Sequence, residues 1–105
     1  MQKRIPIILF VYARPDMLQH TLECLKINKV PLIYIFSDGA KTPEKKPVVI
    51  EVRKIIHDID WCKTIIIERE DNLGLGQSIL TGVTEVLKKE KMAIVFEDDL
   101  ICVPG

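Results

Sequence analysis

Residues 7–12 read Ile-Ile-Leu-Phe-Val-Tyr, six apolar side chains in a row with no polar alternation. β-Branched and aromatic residues favour extended backbone. An unbroken apolar run of this length offers no face to water, the pattern of a strand buried on both sides within a helix-covered parallel sheet. Three further runs read the same way: Leu32-Ile33-Tyr34-Ile35-Phe36, Thr64-Ile65-Ile66-Ile67 and Met92-Ala93-Ile94-Val95-Phe96.

Segments of helical period lie between these runs. Leu18, Leu22 and Leu25 share one face, and Pro15 just ahead of them suits a first helical position. Val48, Val52, Ile55, Ile56 and Ile59 share another face, with Pro47 opening that helix, because a proline deeper inside would remove a backbone bond. Leu75, Ile79, Leu80, Val83, Val86 and Leu87 make a third apolar stripe, and Lys88-Lys89 behind it suits the negative end of a helix dipole. The resulting order is β-α-β-α-β-α-β. It predicts an α/β chain, a three-layer α/β/α sandwich with a mostly parallel, Rossmann-like sheet and right-handed crossovers. The polar stretch from Lys41 to Pro47 reads as a surface loop.

The bulk composition narrows the function. The 105 residues allow one small domain, 48% hydrophobic and 29% charged. Fifteen Lys and Arg balance fifteen Asp and Glu. A general nucleic-acid or acidic-membrane binder needs a basic excess, so neither is expected. Cys24, Cys62 and Cys102 have no zinc or redox spacing and are expected to be three free thiols in a reducing, cytoplasmic compartment. No apolar run approaches the ~18 residues of a membrane span. The start Met1-Gln2-Lys3-Arg4 is basic, but the run after it is short, holds Pro6 and lacks a cleavage site, so it reads as a strand and not a signal.

An open parallel sheet places ligands beyond the C-terminal ends of its strands. The informative residues are therefore Ala13-Arg14-Pro15-Asp16, Ser37-Asp38-Gly39, Glu68 to Gly76, and Glu97-Asp98-Asp99. Three adjacent carboxylates repel, and a hard divalent cation, Mn²⁺ or Mg²⁺, would relieve them while bridging to a phosphate. Because extended side chains alternate, Glu97 and Asp99 are expected near the metal and Asp98 toward a sugar or ribose hydroxyl. The plain alternative is a solvated acidic turn. Arg14 suits a phosphate or a base carbonyl, or else an ion pair with Asp16. Asp38 suits a ribose hydroxyl or a base N–H, with Gly39 supplying the turn. Asn72-Leu73-Gly74-Leu75-Gly76 lets backbone approach a ligand or simply turns; Ile79 rules out a dinucleotide fingerprint, and no GK[ST] marks a Walker loop. His20 and His57 fall inside helices without partners at metal-ligand spacing, and Trp61-Cys62 reads as core packing.

Four stretches together resemble the N-terminal, nucleotide-sugar-binding part of GT-A-fold glycosyltransferases. They are Phe10-Val11-Tyr12-Ala13-Arg14-Pro15, Phe36-Ser37-Asp38-Gly39, Asn72-Leu73-Gly74-Leu75 and Glu97-Asp98-Asp99-Leu100. The pattern is most similar to bacterial sugar transferases related to glycosyltransferase family two. The acidic run, with Pro104 behind it, also resembles the N-acetylglucosaminyltransferase I group. The resemblance implies a metal-dependent transfer of sugar from a nucleotide-diphospho-sugar, expected to be a UDP-sugar, in polysaccharide assembly. It implies Asp99 as the direct metal ligand, Glu97 acting through water, Asp98 on the donor sugar or ribose, Asp38 on the base, and Arg14 near the base or diphosphate. The acidic signature departs from the usual DxD in having Glu first. In such enzymes the acceptor site and catalytic base follow the acidic signature, whereas residues 1–105 end at Gly105. The expectation is therefore a donor-binding domain, a piece of a longer enzyme, with no transferase activity of its own and an exposed sheet edge prone to self-association. The alternatives are a sugar-phosphate nucleotidyltransferase, which normally has a glycine-rich loop where Ala13-Arg14-Pro15 stands, and a non-enzymatic receiver-like or interaction module.

Overall fold

The computed structural model describes residues 5–97. Strands β1 (Ile7–Val11), β2 (Leu32–Ser37), β3 (Lys63–Glu68) and β4 (Ile94–Glu97) alternate with helices α1 (Pro15–Ile27), α2 (Lys46–His57) and α3 (Leu75–Leu87). All strand pairs are parallel, in the order β3-β2-β1-β4. The chain is an α/β fold with a four-stranded, all-parallel, Rossmann-like sheet and three helices.

Register follows from the apolar runs. Leu9 lies opposite Ile35 on one side and Phe96 on the other, and Phe10 lies opposite Phe36 and Glu97. Successive side chains alternate faces, so each run serves two cores. Ile7, Leu9, Val11, Ile33 and Ile35 pack with Leu18, Leu22, Leu25, Val52 and Ile56 of α1 and α2. Ile8, Phe10, Tyr34 and Phe36 pack with Val86, Ile79 and Val83 of α3. Helices thus cover both faces, in the expected three layers.

The helix ends are chemically legible. Pro15 and Pro47 occupy first-turn positions of α1 and α2. Helix α1 stops in a Schellman pattern: Lys29 N–H donates to the Lys26 carbonyl, Val30 N–H donates to the Leu25 carbonyl, and Lys29 takes the left-handed conformation (φ 55°). The expected loop 41–47 is partly helical, with a 3₁₀ turn at Pro43–Lys45 running into α2.

Three expectations need correction. First, neither Thr64–Ile67 nor Met92–Phe96 is a strand buried on both faces: β3 is an outer strand of the order and only half-buried along 64–67. Strand β4 is an edge, with Ile94 44% and Val95 41% exposed. The order β3-β2-β1-β4 places the first two strands centrally, and α3 packs on β1 and β2, leaving β4 uncovered on that side. Second, the buried face of α3 is Ser78, Gly82 and Val86, while Leu80 (63%) and Leu87 (49%) face outward. At 3.6 residues per turn, Leu80 and Leu87 lie on one line, roughly opposite Gly82. Gly82 decides which face is inner, since a Cβ there would come within 2.7 Å of the Phe10 ring. Third, Cys24 is disulfide-bonded, whereas Cys62 is a free thiol whose pKa burial raises. Trp61 and Cys62 pack against the α1/α2 core as expected.

Candidate functional site

A cleft of about 180 Å³ opens at the C-terminal ends of β1 and β4, lined by Tyr12, Arg14, Asp38, Leu75, Ser78 and Glu97, with Phe10 and Val11 at its base. This is the switch point of the sheet, where the connection from β1 runs to one side and the return from α3 arrives on the other. Doubly wound folds bind ligands there because the flanking loops part and leave a crevice.

Each wall has a local cause. Arg14 is the N-cap of α1; its carbonyl accepts from Leu18 N–H, and Pro15 behind it fixes the helix entrance. Glu97 is the last residue of β4, in register with Phe10, which places it on the α3 side of the sheet. Ser78 is buried on the inner face of α3, and Leu75 begins that helix at the cleft mouth. Gly74, at φ 80°, is the α3 N-cap and needs a residue without a side chain in that conformation.

Asp38 has a more constrained setting than the sequence suggests. It is 6% exposed. Its Oδ1 accepts from the backbone N–H of Gly39 (3.0 Å) and of Leu73 (2.9 Å). Its Oδ2 accepts from Gly74 N–H (3.1 Å) and from the Asn72 amide (3.2 Å). A carboxylate has about four acceptor positions, and the protein fills them. Asn72 also donates to the Gly39 carbonyl at 2.8 Å. Gly39 is needed for a different reason than a turn: a Cβ there would meet the Glu70 carbonyl oxygen at 2.3 Å. Asp38, Gly39 and Asn72 thus form one interlock between the loops after β2 and β3, and Asp38 borders the cleft from within it.

The seven expected site residues therefore divide. Arg14 and Asp38 line the cleft together with Glu97. Gly39 and Asn72 hold the wall behind Asp38. Asp98 and Asp99 lie outside the described residues. Among the described residues no group of three or more His, Cys, Asp or Glu comes together to hold a metal. Glu97 contributes one hard oxygen donor in the cleft, and a Mg²⁺-type site needs only one or two carboxylates plus substrate phosphates. The donor chemistry therefore fits such a cation.

Two features escaped sequence reading. Arg53, in the middle of α2, donates to Ser37 Oγ and to three main-chain carbonyls. Its place within a helical stripe gave no hint of this. His57 pairs with Glu68 at 2.8 Å on the exposed outer side of β3. The partner becomes a neighbour only through the β2–β3 crossover.

Comparison of the chain with family models, curated proteins and solved structures finds no match. No helix among the described residues is long and apolar enough to cross a membrane.

Proposed function

We propose that this chain is the nucleotide-sugar-binding part of a metal-dependent glycosyltransferase of GT-A type, with the donor's diphosphate in the cleft between β1 and β4. One observation carries the reading: Arg14, Asp38 and Glu97, from three separate strand ends, line one cleft at the sheet's switch point. A guanidinium suits a phosphate oxygen. A carboxylate across the cleft suits the cation that accompanies a diphosphate. When bound, Mn²⁺ or Mg²⁺ supplies charge neutralisation on the leaving diphosphate. The strand order also supports a nucleotide-binding crevice over a receiver-like module, whose sheet runs 2-1-3-4-5.

In this reading Arg14 binds the diphosphate or base, Glu97 and Asp99 hold the cation, and Asp98 meets the sugar. Asp38 shapes the nucleotide wall, its carboxylate already taken up by Gly39, Leu73, Gly74 and Asn72. The test is calorimetric titration of UDP with and without Mn²⁺. Metal-dependent binding is expected, weakened about 10–100-fold in Asp99→Ala and about tenfold in Glu97→Gln. Binding that ignores both the metal and the Asp99 substitution would sink the proposal.

A further inference from the structure

We propose that Arg53 and Asp38 act in series as a positioning pair that fixes the entrance of α3 over the cleft, although Arg53 itself lies on the opposite side of the sheet. The geometry runs from residue to residue. Arg53 Nε donates to Ser37 Oγ at 2.9 Å. Its Nη2 lies 2.7 Å from the Arg69 carbonyl, 3.3 Å from that of Asp38 and 3.4 Å from that of Ser37. One guanidinium thus gathers the main chain just past β2 and just past β3. Arg69 N–H donates in turn to the Ser37 carbonyl, and Asp38 N–H to the Val11 carbonyl of β1. Three strand ends are held in one place.

Asp38 passes this constraint across the sheet. Its backbone is held by Arg53, and its carboxylate holds Leu73 N–H and Gly74 N–H. Those two amides set where α3 begins, and helix residues Leu75 and Ser78 are cleft wall. Arg53 is not part of that wall, so it is a positioning residue. A planar, forked cation is required because a lysine ammonium is a point charge on a flexible stem and does not bridge several carbonyls in fixed geometry.

The test is amide hydrogen exchange of the 105-residue chain without ligand, followed by UDP titration with Mn²⁺. In Arg53→Lys, exchange at Leu73 and Gly74 is expected to accelerate about tenfold or more, the scale of a lost charge-assisted hydrogen bond. Exchange at Ile8 and Leu9 in the sheet centre is expected to stay within about twofold. Unchanged exchange at Leu73 and Gly74 would overturn the proposal, as would equal acceleration at Ile8 and Leu9, which reports general loosening. Should Arg53→Lys fail to fold, Ser37→Ala removes the Nε acceptor alone and is read by the same criteria. The ligand arm rests on the nucleotide reading above, and weaker UDP binding is expected in step with the exchange change. A wild-type chain that binds no UDP removes that reading, and the exchange data alone then decide the positioning role.

Discussion

Asn72 shows how one amide holds two loops. It donates both to Asp38 Oδ2 and to the Gly39 carbonyl. Asn72→Ala removes both bonds and leaves the Gly39 carbonyl and a carboxylate oxygen short of a donor. A loss of about 1–3 kcal/mol is expected in urea denaturation. The sequence marked Asn72, Gly39 and Asp38 as neighbours of a ligand, because each follows a strand. It did not reveal that they bond to one another, since that depends on how closely the backbone at Glu70 passes Gly39. A second residue-scale consequence comes from Tyr34, whose hydroxyl donates to Glu90 Oε2 at 2.8 Å. That bond, then burial, then the Glu90 charge raise its pKa above the usual 10.0. A pKa raised on folding gives stability that is complete below the unfolded value and is lost as pH climbs. Wild type is therefore expected to lose stability above pH 10.0 that Tyr34→Phe does not lose, as thermal melts across that range would show.

Helix α3 illustrates what periodicity can and cannot supply. Its existence and length were plain from the recurring apolar residues. Which face turns inward was not, because Leu75, Leu80 and Leu87 have more apolar area than Ser78 and Gly82. Close approach wins over side-chain size here: without a side chain at Gly82 the helix settles against the rings of Phe10 and Phe36, themselves stacked 5.4 Å apart. Gly82→Ala tests this directly. The gain in helix propensity is about 1 kcal/mol. The overpacking is expected to exceed it, giving a net loss of about 1–2 kcal/mol in chemical denaturation. Increased stability would show that the helix is free to shift. The four strands were legible for the opposite reason: central strands have no outer face, so β1 and β2 announce themselves. Strand β4 has a similar apolar run, and nothing in its residues says that it ends up at an edge.

At the scale of the molecule, one helix covers a face four strands wide. Four strands at about 4.8 Å spacing span nearly twice the width of a helix, so α3 over β1 and β2 leaves the outer strands partly open. On the β4 side this exposes Val95 beside a strand edge that is unpaired among the described residues, which invites pairing with another chain. Self-association that rises with concentration is expected in sedimentation velocity, and Val95→Lys should shift the population toward monomer. A chain that stays monomeric at high concentration would show that the edge is already protected. The α/β class, the element order and the sheet edge that bears the cleft were readable from the runs and the residues after them. The strand order was not, because alternation of strands and helices fixes direction and handedness but leaves open which strand lies beside β1.

That order also predicts a sequence of events in folding. β1, α1 and β2 are contiguous in the chain and form the centre of the sheet, so their contacts close short loops, whereas β4 reaches β1 from almost the far end of the described chain. Long loop closures are slow to be rewarded. Substitutions at Leu9 and Ile35 are expected to slow folding, and those at Ile94 and Phe96 to speed unfolding instead, a division that stopped-flow φ-values would read. With β4 docking last, as those φ-values would show, the cleft between β1 and β4 would come into being in that step, and a ligand held there would act as a latch on the finished molecule.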